Sequence, residues 1–296
     1  MDKKVLIIGQ NSYIGNSFKK YVENISVSNR VLGSDVDTNR EYNGCSVEEK
    51  LQLHIKKVSA RNNEWQSEDL SQYDVILHVA AIVHQKETED KQQLYIDINK
   101  KLPVEIAKKA KAAGVKQFLF LSTMAVYGEV EGAITKDTPL KPATMYGKTK
   151  LAAEQKLAEL ADKNFKVVIL RPPMVYGENC PGNYTRLKKL AKVLPVFPDV
   201  ENKRSMVHVD RLSECIADVI AQDIVSQGMT ESKTITILHP KDNDPVKTTD
   251  MYVKLRKDMG KKTYTTKLFN GVIEVLKGRV GIVRKLFGSC YYYEVD

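Results

Sequence analysis

Long apolar runs are missing from this 296-residue chain. None reaches the roughly eighteen residues that a membrane-spanning helix needs. A signal-peptide layout is absent from its start as well, so the sequence predicts a cytoplasmic protein with no membrane span. Cysteine is scarce: Cys45, Cys180, Cys215 and Cys290 are scattered without metal-ligand spacing and read as reduced thiols, with no metal site expected. Internal repeats and low-complexity linkers are lacking too, which leaves one large domain, or one domain carrying a lobe. The net charge is +9, yet the basic residues are neither interleaved with stacking aromatics nor set in a reading motif, and this argues against nucleic acid as a partner.

What charge there is lies unevenly. From Lys247 to Asp296 there are eleven Lys or Arg against five Asp or Glu. Such an excess suits a solvated basic face or an anionic partner, among them a sugar nucleotide or a lipid surface. Within it, Leu268 to Phe287 alternates apolar and basic residues at roughly helical spacing, broken by Gly278 and Gly281. That pattern fits a lobe helix packed on the domain, with peripheral membrane association as a second reading.

Strand-like apolar runs alternate with helix-like stretches, which predicts an α/β fold with a parallel sheet covered on both faces. Val5–Ile8 is the first strand and the stretch after Gly15 the first helix. Val75–Val79, Phe118–Leu121 and Val167–Leu170 follow as central strands, and Thr234–Leu238 as a late one. Leu102–Ala113 and Lys148–Leu160 have helical spacing. Pro, Gly and Asn cluster from Pro172 to Asn183, where the chain leaves the sheet.

Three motifs carry chemistry. Tyr146 and Lys150 stand four residues apart, one turn apart on one helix face. An ammonium beside a phenol favours the phenolate, and a phenol so tuned can exchange a proton with a hydroxyl. Upstream, Leu119-Phe120-Leu121-Ser122-Thr123 reads as a buried strand with hydroxyls at its C-terminal end, the edge where ligands bind in open α/β sheets. The chain itself opens with a strand entering a glycine-bearing turn, Gly9-Gln10-Asn11-Ser12-Tyr13-Ile14-Gly15. Backbone N–H groups at a helix start bind pyrophosphate, and glycines permit close approach.

In these motifs the chain resembles the extended short-chain dehydrogenase/reductases, in particular nucleotide-sugar epimerases and 4-reductases of bacterial surface-polysaccharide synthesis. The likeness runs through Leu77-His78-Val79-Ala80-Ala81, Asn99, Thr123-Met124-Ala125-Val126-Tyr127-Gly128, Tyr146 to Lys150, Arg171-Pro172-Pro173 and Arg204-Ser205-Met206-Val207-His208. It implies a Rossmann-type doubly wound parallel sheet over residues 1–170, completed by about 206–239, with a substrate lobe from 171–205 and 240–296. The resemblance casts Thr123, Tyr146 and Lys150 as catalytic. It places NAD or NADP on Gly9, Asn11, Ser12, Tyr13, Ile14, Gly15, Ala80, Ser122, Tyr146, Lys150 and the backbone of Pro173. Asn99 would brace the active-site helix. Asn183 and Arg204 would meet the diphosphate of a nucleotide-sugar substrate, Arg204 because a guanidinium pairs with phosphate as a fork.

Departures from the family pattern are informative. Serine replaces the middle glycine at position 12. Met124-Ala125 stands where related dehydratases carry Asp-Glu, and two apolar residues cannot do acid–base work, so dehydration is not expected. Pro173-Met174 replaces the aromatic-Asn pair of galactose epimerases. His78 reads as a buried strand residue, His84 as a remote candidate for a phosphate contact, and Tyr127 as core.

Residues Asn24 to His54 admit two registers. In one, Arg30–Val36 is the second strand, Asp35 or Asp37 meets the adenosine ribose, and Ser46-Val47-Glu48-Glu49 caps a helix, as suits NAD. In the other, His54–Ala60 is that strand, and Ser59 and Arg61 at its end suit the 2′-phosphate of NADP. The cofactor is therefore expected to be NAD, with NADP open. The activity implied is a UDP-hexose or UDP-N-acetylhexosamine 4-epimerase working through a 4-keto intermediate. An NAD(P)H-dependent 4-ketoreductase and a non-catalytic dinucleotide sensor are the rivals. A homodimer is compatible with this reading.

Overall fold

The computed structural model describes residues 2–31, 52–61, 64–83, 85, 87–221 and 235–295. β1 (Asp2–Ile8) runs through Gly9 into α1 (Tyr13–Val31), and β2 (Gln52–Val58) returns parallel to β1. This is the second of the two registers. Arg30 and Val31 belong to α1, not to a strand, while Asp35, Asp37, Cys45, Ser46 to Glu49 and His84 lie outside the described residues. A single turn, α2 (Glu64–Ser67), buries Trp65 ahead of β3 (Val75–His78).

Next, α3 (Gln92–Tyr95) continues through a π-helical stretch, Ile96–Lys101, into α4 (Leu102–Ala112). Pro103 explains the widened turn. It has no N–H to give the carbonyl four residues back, and its ring would crowd that carbonyl, which belongs to Asn99. β4 (Gln117–Leu121) leads to a 3₁₀ turn at Met124–Tyr127, then to β5 (Gly132–Ile134) and α5 (Met145–Ala158). α5 starts three residues earlier than its periodicity suggests, because Thr144 caps it by accepting from the N–H of Gly147 at 3.1 Å. β6 (Lys166–Leu170) completes the central strands.

The remaining elements are β7 (Met174–Tyr176), α6 (Asn183–Val193), β8 (Val196–Pro198), β9 (Met206–His208), α7 (Val209–Ala221) and β10 (Ile235–Leu238). After them come α8 (Thr248–Asp258), β11 (Tyr264–Thr266), α9 (Asn270–Lys277), α10 (Gly281–Phe287) and β12 (Cys290–Tyr292).

Six strands form one parallel sheet in the order β10-β6-β4-β3-β1-β2. Alternate side chains divide between its faces. Leu6, Ile8, Phe118 and Phe120 meet α4 and α5 through Ile106, Ala110 and Leu157. Val5, Ile7, Leu77 and Leu119 meet α1 and α7 through Phe18, Leu212 and Ile216. Burial on both faces is why these strands read as unbroken apolar runs. Lys3 is buried as well, its ammonium donating to the Ile220 carbonyl near the C-terminus of α7 at 2.7 Å.

A separate apolar cluster lies beyond the sheet. Leu187 and Ala191 of α6, Phe197 of β8, Tyr252 and Leu255 of α8, Ile273 of α9 and Phe287 of α10 come together there, and Phe197 stacks on Tyr252 with ring centroids 3.9 Å apart. Three two-stranded pairs, β8 with β11, β7 with β9 and β5 with β12, stitch this part together and onto the sheet's edge region.

Candidate active site

After β1 the chain goes outward to β2, and after β2 it crosses back to β3. The crevice between the C-terminal ends of β1 and β3 is therefore the topological switch point of the sheet, where doubly wound folds take their ligands. Gly9 sits at its floor with φ +126°, and a Cβ there would meet the Ala80 nitrogen at 3.0 Å. Glycine is required by both the conformation and the space. Gly15 lets α1 close down on β1 and β3, since a Cβ would meet Ile7 at 3.1 Å and Val79 at 3.2 Å.

Ser12, which replaces the middle glycine, accepts from the N–H of Gly15 at 3.3 Å and so acts as a cap. Remaining N–H groups at the start of α1 lack intrahelical acceptors, as at any helix start, and with the close approach at Gly9 they fit a dinucleotide's pyrophosphate. Asn11 is exposed beside them. The Tyr13 side chain does something else: its hydroxyl donates to the Glu178 carbonyl at 2.9 Å and lies against Gly177, tying α1 to the loop after β7. At the crevice's outer end, Gly9 and Gln10 both donate to the Val58 carbonyl. This sets Ser59 and the exposed Arg61 beside the glycine turn, with the Arg61 N–H donating to the Ser59 hydroxyl at 3.0 Å.

On the other side of β3, α5 brings Tyr146 to Thr123. Gly147 makes this approach possible, for a Cβ on it would lie 2.7 Å from the Ala125 carbonyl oxygen. The first turn of α5 is held again by Glu87, whose carboxylate accepts from the N–H groups of Met145 at 2.8 Å and Tyr146 at 3.0 Å. A carboxylate at a helix N-terminus is favourable both as a cap and toward the helix dipole. The phenol of Tyr146 lies near the Thr123 hydroxyl, which acts on it to lower its pKa, and Thr123 Oγ1 accepts from the Ala125 N–H at 3.1 Å.

The electrostatics differ from the expectation. Burial pushes the Tyr146 phenol up to about 12; the neighbouring Thr123 hydroxyl opposes this and Tyr95 adds to it. Lys150 does not pull it down. Burial draws the Lys150 ammonium down to about 7 against the attraction of Glu154. Its Nζ donates to the Leu121 carbonyl at 2.7 Å and lies 4.3 Å from the Phe120 ring centroid. Burial dominates at both groups, since it disfavours the charged form of the phenol and of the ammonium alike.

Beneath these residues runs a buried polar chain that the sequence did not reveal. The Arg171 guanidinium pairs with Glu154 at 2.6 Å and donates to the Tyr127 hydroxyl at 2.9 Å, and that hydroxyl lies 2.8 Å from Nε2 of His239. Ser122 donates its hydroxyl to Glu154, so it is turned into this network and away from the crevice. Tyr127 is core, as expected, but polar core. Glu154 lies four residues beyond Lys150 on the same helical face, and a carboxylate on a buried face was the available signal. Asn99, fully buried in the π-helical stretch, bonds the Ile82 N–H and carbonyl at 2.8 and 3.0 Å and so braces the chain leaving β3. His78 is buried beside Phe118 and Phe120 with neither ring nitrogen hydrogen-bonded.

Farther along the edge, Pro173 is buried next to Pro172, whose carbonyl accepts from the Met124 N–H at 2.9 Å. Arg204 is half-buried. Its backbone bridges Val246 and Cys290, and its guanidinium donates to the Gly288 carbonyl at 2.8 Å. The Cys290 thiol touches the Met124 sulfur at 3.6 Å, which links Arg204 to the turn bearing Thr123. Asn183 is exposed at the start of α6. Among the described residues no cluster of ligating side chains could hold a metal ion, and no helix is long and apolar enough to cross a membrane.

Comparison with known proteins follows the same geometry. A UDP-glucose 4-epimerase of Vibrio cholerae is 28% identical over 230 residues, which is 74% of this chain and 67% of that relative. The fold also matches the UDP-glucuronic acid 4-epimerase of Bacillus cereus in complex with NAD, with a TM-score of 0.62 and 18% identity over 89% of this chain and 85% of that one. It matches the dTDP-4-dehydrorhamnose reductase of Bacillus anthracis str. Ames in complex with NADP as well, at 0.61 and 18% over 89% and 84%. Residues 5–228 match the NAD dependent epimerase/dehydratase family, and the chain belongs to that family.

Proposed function

We propose that the protein is a nucleotide-sugar 4-epimerase that uses NAD, with residues 171–205 and 240–296 forming the substrate lobe. The observation that carries this reading is Tyr146 near the Thr123 hydroxyl beside the switch-point crevice, with Lys150 one turn further along α5. Bound NAD would supply the hydride acceptor and donor for C4 of the sugar. Tyr146 takes the proton of the C4 hydroxyl and gives it back, and Thr123 holds that oxygen beside the phenol. Because burial holds the free phenol near 12, Tyr146 needs added positive charge nearby to act as base at neutral pH. Lys150 provides part of it when protonated, and its proton sits on a group poised near 7. Gly9 and the start of α1 seat the pyrophosphate, Ala80 and Pro173 border the crevice, and Arg204, with donors beyond the one given to Gly288, grips the substrate diphosphate.

Ser59 and Arg61 support a second reading, an NADPH-dependent 4-ketoreductase. They stand together at the end of β2 beside the glycine turn, the place of the adenosine ribose. Mass spectrometry of ligands released from the purified protein separates the two readings when followed by assays on UDP-hexoses and UDP-N-acetylhexosamines. Bound NAD and C4 inversion without added cofactor are expected. A requirement for fresh NADPH with net reduction of a 4-keto sugar would select the reductase. Absence of hydride chemistry with every nucleotide sugar, despite dinucleotide binding, would defeat both.

A further inference from the structure

The inner side of the α9–α10 hairpin is anchored in the protein. Ile273 and Phe287 enter the lobe core, and the Gly288 carbonyl receives Arg204 and Asn202. Its outer side is different. Val272 and Val275, three residues apart, share one face of α9, and Leu268 stands in the turn that leads into it. Leu268, Val272 and Val275 are 81%, 60% and 59% exposed, and Ile282 of α10 is 68% exposed. Apolar side chains scattered singly on a surface need no explanation; a stripe of them does.

Cations stand beside this stripe in the chain. Arg279 lies one turn beyond Val275, Lys285 one turn beyond Ile282, and Lys267 just before Leu268. Between Lys261 and Gly288 there are seven Lys or Arg and a single acid, Glu274. That acid is paired with Lys277 at 2.8 Å, and Arg284 pairs with Glu129. Arg279 and Lys285 have no ion-pair partner among the described residues. A second copy of the chain is a poor occupant, since facing two such surfaces would oppose like charges. Exposed aliphatic side chains with unpaired cations beside them in the chain match the boundary of an anionic bilayer, where the apolar groups enter the acyl edge and the cations meet phosphate headgroups.

We propose that the outward face of the α9–α10 hairpin docks on an anionic lipid surface and seats the lobe there. This stands independently of the reaction proposed above. The full chain is sedimented with vesicles of phosphatidylcholine alone and with vesicles of equal parts phosphatidylcholine and phosphatidylglycerol. Binding is expected only to the anionic vesicles and should weaken as salt screens the cations. Val272→Asp with Val275→Asp should abolish it, and Arg279→Gln with Lys285→Gln should weaken it by about fivefold per cation. Unchanged unfolding midpoints would show that both variants fold, as the exposure of these positions predicts. Parent protein that ignores anionic vesicles at low salt would overturn the proposal, and so would variants that bind as the parent does. Light scattering that shows self-association lost in the Val272→Asp/Val275→Asp variant, without lipid binding by the parent, would assign the face to a second copy.

Discussion

Tyr146 and His78 show how burial sets what a single side chain can do. Tyr146 is kept protonated by desolvation, yet the proposed function has it exchange a proton with the sugar's C4 hydroxyl. Tyr146→Phe should keep the fold and dinucleotide binding and lower kcat by several orders of magnitude. Activity within about tenfold of the parent would remove Tyr146 from the chemistry. His78 is held neutral, its imidazole drawn down to about 3 mainly by burial, with the Lys150 charge adding to the effect. Its folded pKa lies below the unfolded value of about 6.5, so its contribution is fully present above that pH and is lost as the pH falls toward 3. Urea unfolding at a series of pH values should therefore show stability declining below about 6.5. In His78→Leu that part of the decline should disappear, at little cost near neutrality, because neither ring nitrogen has a partner to lose.

Among the elements, α5 matters most, because it carries the proposed chemistry and is placed by contacts from three directions. Glu87 and Thr144 cap its first turn, Gly147 lets it touch the Ala125 carbonyl, and Glu154 locks its middle to Arg171. Gly147→Ala forces a shift against backbone, with a destabilisation on the order of 1–3 kcal/mol. Since the displaced turn is the one bearing Tyr146, turnover should fall further than stability alone explains, and kcat measured well below the melting temperature tests this. Glu87→Ala should cost about 1 kcal/mol through lost capping and be read as a lower thermal midpoint. A wild-type midpoint in Glu87→Ala would mean that Thr144 suffices as cap.

Across the whole molecule, the Arg204 segment joins the sheet's edge to the outer cluster through Val246, Gly288 and Cys290. Arg204→Ala should raise the KM for a nucleotide sugar about ten- to a hundredfold, from the roughly 1.5–3 kcal/mol of a charge-assisted hydrogen bond. Dinucleotide affinity should stay as it was, since the glycine turn lies elsewhere. Unchanged nucleotide binding with a lowered melting temperature would make Arg204 a strut between the two parts. Much of this architecture was legible beforehand. The doubly buried strands announce themselves as unbroken apolar runs, the Gly9 turn and the Tyr146–Lys150 spacing are local patterns, and local patterns survive in a linear text. Two registers for the second strand both fit such patterns, the family resemblance favouring the later one; pairing of Gln52–Val58 with β1 distinguishes them, and strand pairing is a long-range choice. The Ser122–Glu154–Arg171–Tyr127–His239 chain was invisible for the same reason, as its members come from four separated segments. Sequence alone determined the fold class and the glycine turn at the crevice, and it supplied the proposed reactive groups, because these follow from periodicity and short spacings. Only the tertiary structure decided the direction in which burial shifts Tyr146 and Lys150, the inward turn of Ser122 and the exposed stripe on α9. Each of those depends on how much water the packed chain leaves around a side chain, and no residue carries that quantity by itself.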